Sequence, residues 1–154
     1  MGRIVVVCGM PGAGKTTLAG RLEQEYDGVR LCPDEWFVVL GLDPHDARAR
    51  GRFEKLQWRQ ALRLATLGVT VVVEFGTWRR VERRRMREQA REVGAQIELR
   101  VLDVPLAERW RRIEARNAEP DAVVITRAQL ESFERWWQAP TSEELAAYDD
   151  ALHP

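Results

Sequence analysis

Residues 4–16 read Ile4-Val5-Val6-Val7-Cys8-Gly9-Met10-Pro11-Gly12-Ala13-Gly14-Lys15-Thr16, an apolar run that breaks into a glycine-rich turn. The last eight match G-x-x-x-x-G-K-[ST], with a predicted strand, Ile4 to Cys8, before them and a predicted helix, Thr17 to Tyr26, after them. Glycines at 9, 12 and 14 let the backbone wrap closely enough for successive N–H groups to converge on phosphate oxygens, and the helix start adds its positive dipole end. Lys15 is placed to reach the β- and γ-phosphates, and the Thr16 hydroxyl to ligate Mg²⁺. The plain alternative, an ordinary glycine-rich turn, leaves unexplained why every motif position is filled in the right context. Lys15 and Lys55 are the only lysines among 24 basic residues, so lysine stands where a compact ammonium is needed.

Working outward, apolar runs alternate with longer amphipathic stretches, the rhythm of strand-helix-strand units around a parallel sheet buried on both faces. Val29 to Cys32, Val69 to Phe75 and Ile97 to Asp103 read as further strands. Arg52 to Leu67 and Arg80 to Val93 read as helices, with Trp58, Ala61, Leu62 and Ala65 in the first, and Met86, Gln89, Ala90 and Val93 in the second, at helical spacing. Gly68 and Gly94 are expected to cap them. Leu106 to Arg116 is a further helix, followed by a loop through Asn117, Pro120 and Asp121. A last helix, Arg127 to Trp137, starts with a capping box, Thr126 and Gln129, and Pro140 closes the pattern. The tail, Thr141 to Pro154, supplies either a fifth edge strand or one more helix. The expected fold is a three-layer α/β P-loop NTPase with a parallel sheet, spanning residues 1–154 as one domain; its nucleotide-kinase type and its strand order, 2-3-1-4 with a possible fifth, are what the family resemblance that follows implies.

The chain has 154 residues, 45% hydrophobic and 31% charged, which fits one folded domain and excludes disordered or collagen-like classes. Its 24 basic and 24 acidic side chains cancel, so nothing global draws it to polyanions. No apolar run approaches the ~20 residues that span a bilayer, and the start lacks a secretory pattern; a cytoplasmic protein without membrane contact is expected. Cys8 and Cys32 read as reduced residues at strand ends, and His45 and His153, without partners at ligand spacing, as surface residues.

Asp34 lies just past the second strand, on the ligand-bearing edge of a doubly wound sheet, where a carboxylate can accept a proton from a substrate hydroxyl. Pro33-Asp34-Glu35 equally suits the acidic first turn of a helix, and spacing alone leaves both readings open.

The order of GMPGAGKTT, PDEW, VVVEFGTW with its ERR helix, and LDVP leading to RN resembles the P-loop kinases that include chloramphenicol phosphotransferase, zeta toxins and the 5′-kinase domain of phage polynucleotide kinase. The resemblance implies ATP and Mg²⁺ as cofactors and makes Asp34 the general base or hydroxyl-orienting group. It implies a lid over about residues 106–126, whose arginines close over the phosphates: Arg109, Arg112 and Arg116, with Arg116 matching the family's RN. Lys15, Asp34 and Arg116 are then the candidate catalytic residues. Gly12, Ala13, Gly14, Lys15, Thr16, Thr17 and Arg112 are the candidate nucleotide contacts. Glu74, in a position like the Walker B acid, joins Thr16 as candidate metal holder; Thr77 matches a threonine near the acceptor. Their plain alternatives are a solvent-facing carboxylate and a helix cap. Pro140 and Thr141 lie where the family has contacts to adenine.

Where polynucleotide kinases carry an arginine three residues after the aspartate, this chain has Phe37. The expected reaction is therefore transfer of the ATP γ-phosphoryl group to a hydroxyl of a small molecule. A polynucleotide 5′-kinase and a nucleotide-binding switch without acceptor are the alternatives. Trp36 to Leu40 is expected mainly as core, or else as the wall of a pocket for a partly apolar small molecule, with Trp58 and Trp78 either core or part of the same wall. The seven arginines between Arg79 and Arg91, with Glu82 and Glu88 between them, read as a solvated face rather than a nucleic-acid surface, although Arg79 or Arg80 is placed to face the acceptor.

Overall fold

The computed structural model describes residues 1–120 and 122–152; the expectations for Asp121 and His153 fall outside these. Strands β1 (Arg3–Gly9), β2 (Val29–Leu31), β3 (Thr70–Val73), β4 (Gln96–Leu102) and β5 (Asp150–Leu152) form a parallel sheet in the order β2-β3-β1-β4-β5. The 2-3-1-4 order is as the sequence predicts. Val5 sits between Val72 on one side and Glu98 on the other. β1 is buried on both faces, which is why its apolar run is continuous rather than alternating. One face carries α3 (Ala47–Thr66) and α4 (Arg80–Glu92), packed through Trp58, Ala61, Met86 and Ala90. The other carries α1 (Lys15–Glu25), packed through Ala19 and Leu22. The chain enters each of these helices from the carboxyl edge of the sheet, so that edge gathers the loops that build the site.

Three helix boundaries differ from the reading, each for a local reason, and the tail combines its two alternatives. α1 begins at Lys15, inside the glycine turn, with Gly14 as its N-cap. α3 begins at Ala47, because the Asp46 carboxylate accepts from the Arg48 and Ala49 amides at 3.0 and 2.9 Å. The capping box of Thr126 and Gln129 starts α6 (Arg127–Phe133), but the helix gives way to a 3₁₀ turn, Glu134–Trp136. The tail supplies both alternatives, a short α7 (Ser142–Leu145) and β5.

The stretch Trp36 to Leu40 requires a larger correction. It forms α2 (Pro33–Leu40), and of its large residues only Phe37 is buried, edge-on against Phe53 at 5.6 Å. Val38 and Val39 are 70% and 80% exposed, and Trp36 and Leu40 are exposed as well. An eight-residue helix on the rim of the sheet has one inward face, and Phe37 fills it.

Among the arginines of α4, Arg83 alone is buried, at 0% exposed. Its Nε donates to Glu144 Oε1 at 2.6 Å and its Nη2 to Glu144 Oε2 at 3.0 Å. The remaining donors reach the carbonyls of Thr77, Trp78 and Gln138 at 3.0, 3.1 and 2.7 Å. One guanidinium thus ties the loop after β3 to the C-terminal segment. Removing one partner of a buried pair leaves an uncompensated charge, at a cost of about 3–5 kcal/mol. Arg83→Ala is expected to lower unfolding free energy by about that much, and Arg83→Met with Glu144→Leu by markedly less. Denaturant melts of the two variants check this; equal losses would contradict it.

Candidate active site

The turn between β1 and α1 brings Gly12 and Gly14 to φ of 80° and 98°, left-handed values that glycine adopts without strain. A Cβ on Gly12 would lie 2.8 Å from the Arg109 carbonyl oxygen and 3.0 Å from Ile113, so the loop is pressed against α5 (Leu106–Asn117). No side chain caps α1, and its first amides open toward the cleft. Lys15 Nζ bends back to the Met10 carbonyl at 3.2 Å. Burial brings the Lys15 ammonium down to about 8 from its ordinary value, with the charges of Asp34 and Glu74 opposing that shift.

Thr16 Oγ1 donates to Glu74 Oε2 at 2.9 Å. Glu74, immediately beyond β3, is 5% exposed and also pairs with Arg30. The solvent-facing alternative for Glu74 is thereby excluded. Thr16 and Glu74 fit a Mg²⁺ ion: they are oxygen donors of the type it takes, converging where phosphate oxygens would meet them. Thr17, the next residue of α1, is exposed and also borders the cleft.

The cleft measures about 960 Å³ and runs from the glycine turn to α3 and α4. Asp34 stands in the acidic first turn of α2, after the Cys32 N-cap, and also borders the cleft. Arg50 Nη1 donates to Asp34 Oδ1 at 2.6 Å, and Arg50 Nε lies 3.2 Å from Glu54 Oε1. Arg50 lies in the part of α3 that precedes its expected start at Arg52, and the link it makes between Glu54 and Asp34 joins separate helices, which spacing along the chain does not reveal.

The three lid arginines part company. Arg112 Nη1 donates to the Gly12 and Ala13 carbonyls, each at 3.3 Å, and Arg116 is exposed along the cleft. Arg109 instead turns inward, donating to the Val104 carbonyl at 2.8 Å and pairing with Glu134. It braces α5 against the 3₁₀ turn and is no partner for phosphate, which corrects the expectation of one shared face. Asn117 pins the lid loop, exchanging bonds of 2.8 and 3.1 Å with the Ile125 backbone.

Thr77 is 8% exposed, has φ of 50° and borders the cleft, while its hydroxyl has no partner among the described residues. It does not cap α4; Arg79 does, with Glu82 reaching back to its amide at 3.2 Å. Trp78 is a cleft wall, its Nε1 bonded to the Gly9 carbonyl at 3.2 Å and its ring 5.3 Å from Phe133. Trp58 belongs to the core. Thr141 caps α7, and Pro140 is outside the cleft lining. Cys8 and Cys32 are free and buried, and burial pushes the Cys32 thiol up to about 12.

A glycine turn of this form, followed by a helix at the carboxyl edge of a parallel sheet in this order, defines a P-loop nucleotide-binding fold. A family model described as an AAA domain matches residues 4–140, and the chain belongs to that family, one of P-loop kinases. No curated protein matches it. Among solved structures, the APS kinase CysC of Mycobacterium tuberculosis in complex with AMPPNP and APS is 23% identical at a TM-score of 0.68, over 99% of this chain and 88% of that one. A sugar kinase from Janibacter sp. HTCC2649 is 20% identical at 0.70, over 100% and 85%. A chain of the Pnkp1/Rnl/Hen1 RNA repair complex is 19% identical at 0.75, over 96% of this chain but only 46% of that one, so this chain spans about half of its length.

A Lys15 held near 8 is ammonium below that pH and increasingly neutral above it, whereas bound phosphates favour the charged form. Nucleotide affinity is expected to fall as pH rises from 7 through 9, and binding at pH 8.5 to take up protons. Calorimetry in buffers of different ionisation enthalpy measures the uptake; none at pH 8.5 would contradict the burial of this ammonium.

Proposed function

We propose that residues 1–154 act as one kinase domain that moves the γ-phosphoryl group of ATP to a hydroxyl of a small molecule. The observation that carries this reading is the placement of Asp34 in the same cleft as Lys15 and Thr16. A triphosphate cradle alone serves switches and motors equally, whereas a carboxylate facing it gives an acceptor hydroxyl somewhere to send its proton. ATP as donor goes with an APS kinase of the same fold bound to AMPPNP. A cytoplasmic setting, where ATP is made, suits the reaction.

In this mechanism the amides from Gly12 to Lys15, the Lys15 ammonium and Thr17 hold the phosphates. Thr16 and Glu74 would hold Mg²⁺, which supplies charge screening across the phosphate oxygens. Arg112, already at the lip of the turn, and Arg116 on the next helical turn close over the transferring group. Their guanidinium donors match its equatorial oxygens. Asp34 exchanges Arg50 for the acceptor hydroxyl and accepts its proton as the oxygen attacks phosphorus. The bond from γ-phosphorus to the bridging oxygen breaks, and ADP keeps that oxygen. Trp78 and Phe133 wall the cleft beside the transfer and limit water, the competing acceptor.

The polynucleotide alternative is weaker. Phe37, where the nucleic-acid enzymes have an arginine, is buried and cannot grip a phosphate. General-base contributions are typically 10²–10⁴-fold, so Asp34→Asn is expected to slow transfer by roughly that factor while ATP still binds. Lys15→Ala loses both. A chain that only hydrolyses ATP slowly, at a rate indifferent to Asp34→Asn, would be a switch instead.

A further inference from the structure

The cleft is electrically divided. At the turn end stand Lys15, Arg112 and Arg116, together with Glu74, which is already paired with Arg30. Along α2, α3 and α4 the charged lining is Asp34, Glu54 and Glu82, with Arg50 between the first two, and His45, neutral at pH 7, is the further titratable group of the lining. One guanidinium is thus shared by two carboxylates. Glu82 is occupied from outside by Arg79, whose Nη2 lies 2.8 Å from Oε1. Every arginine among these groups is already committed to a carboxylate, and this part of the cleft keeps a surplus of negative charge. The rest of its wall is apolar and aromatic, from Val38, Phe75, Trp78 and Met86. The buried Thr77 hydroxyl, without a partner among the described residues, sits in the same wall.

We infer that the acceptor is an amino alcohol: an organic molecule with a protonated amine, an apolar body and the hydroxyl that receives the phosphoryl group. This rests on the phosphotransferase reading above and specifies its substrate class. A phosphorylated or carboxylated acceptor would enter a space whose cations are all taken and whose net charge repels it. A protonated amine instead gains Glu54 and Glu82 as partners and the faces of Trp78 and Phe75 as cation–π surfaces. Its amine then lies away from the phosphates, while Thr77 offers its free hydroxyl to a polar group of the acceptor. Burial, foremost, pushes the Glu54 carboxyl up, with Glu82 and Asp34 adding repulsion and Arg50 opposing, which is the signature of a carboxylate short of counter-charge. A cationic ligand relieves that shortage. With Asp34 drawn to the hydroxyl, it also leaves Arg50 with Glu54.

The test is label transfer from γ-labelled ATP to matched skeletons that differ in one substituent. Glucosamine, N-acetylglucosamine and glucose 6-phosphate form one set; a phenyl amino alcohol, its acetylated amine and its phosphate form a second; an oligonucleotide is added. The amines are expected to have kcat/KM at least about tenfold above their neutral partners, with the phosphates lowest. Glu54→Gln and Glu82→Gln are each expected to reduce that amine-to-neutral ratio by several-fold. Thr77→Val is expected to lower kcat/KM across a set without changing the ratio. Equal or better transfer to neutral or phosphorylated members, or to the oligonucleotide, overturns the inference and leaves the kinase reading standing. No transfer to any member by a chain that binds ATP overturns both.

Discussion

The glycine turn has space for a polyphosphate because α5 closes on it from one side and β1 delivers it from the other. The contact at Gly12 is the tight point: a Cβ there would lie 2.8 Å from the Arg109 carbonyl oxygen. Arg109 itself is held by Val104 and Glu134, so the helix that presses on the turn is braced from behind. Thr16 then meets Glu74 across the gap between β1 and β3, at a distance set by the pairing of these adjacent strands. The phosphate end of the cleft is therefore a product of backbone geometry, and its side chains complete a shape the sheet already imposes.

The acceptor end is built differently. Its charged groups come from α2, α3 and α4: an ion pair joins Asp34 of α2 to Arg50 of α3, Arg50 also meets Glu54 within α3, and Glu82 of α4 is held by Arg79 at the start of its own helix. The loop after β3 that carries Thr77 and Trp78 is held by Arg83, whose buried guanidinium bonds both their carbonyls and Glu144. A left-handed φ at a β-branched residue such as Thr77 persists only where the surroundings over-determine it, and the Arg83 clamp supplies that constraint. The C-terminal segment contributes to the site in this indirect way.

The turn and the glycine caps were legible in the sequence because each depends on residues close together in the chain, and the sheet order because the motifs in their order resemble those of P-loop kinases. Gly68 and Gly94 take φ of 85° and 72°, as helix-ending glycines do. The Thr16–Glu74 pairing was legible as two separate motif positions, and the sheet brings them together. What escaped depends on contacts between distant segments. Nothing in the run of arginines on α4 singles out Arg83, since its partner lies 61 residues away. Arg109 matches the spacing of Arg112 and Arg116, yet the nearby Glu134 captures it. The apolar character of Trp36 to Leu40 suggested core, but burial follows the helix face, and only Phe37 points inward.

The account rests on a cradle of main-chain amides, Lys15 and the Thr16–Glu74 pair acting as one triphosphate site. Titration calorimetry of AMPPNP into the chain, with and without Mg²⁺, tests it most directly, with Gly12→Val as comparison. The account predicts one site per chain, tightened by Mg²⁺ and lost in Gly12→Val. Binding that ignores both the metal and this substitution, or no binding at all, would contradict it.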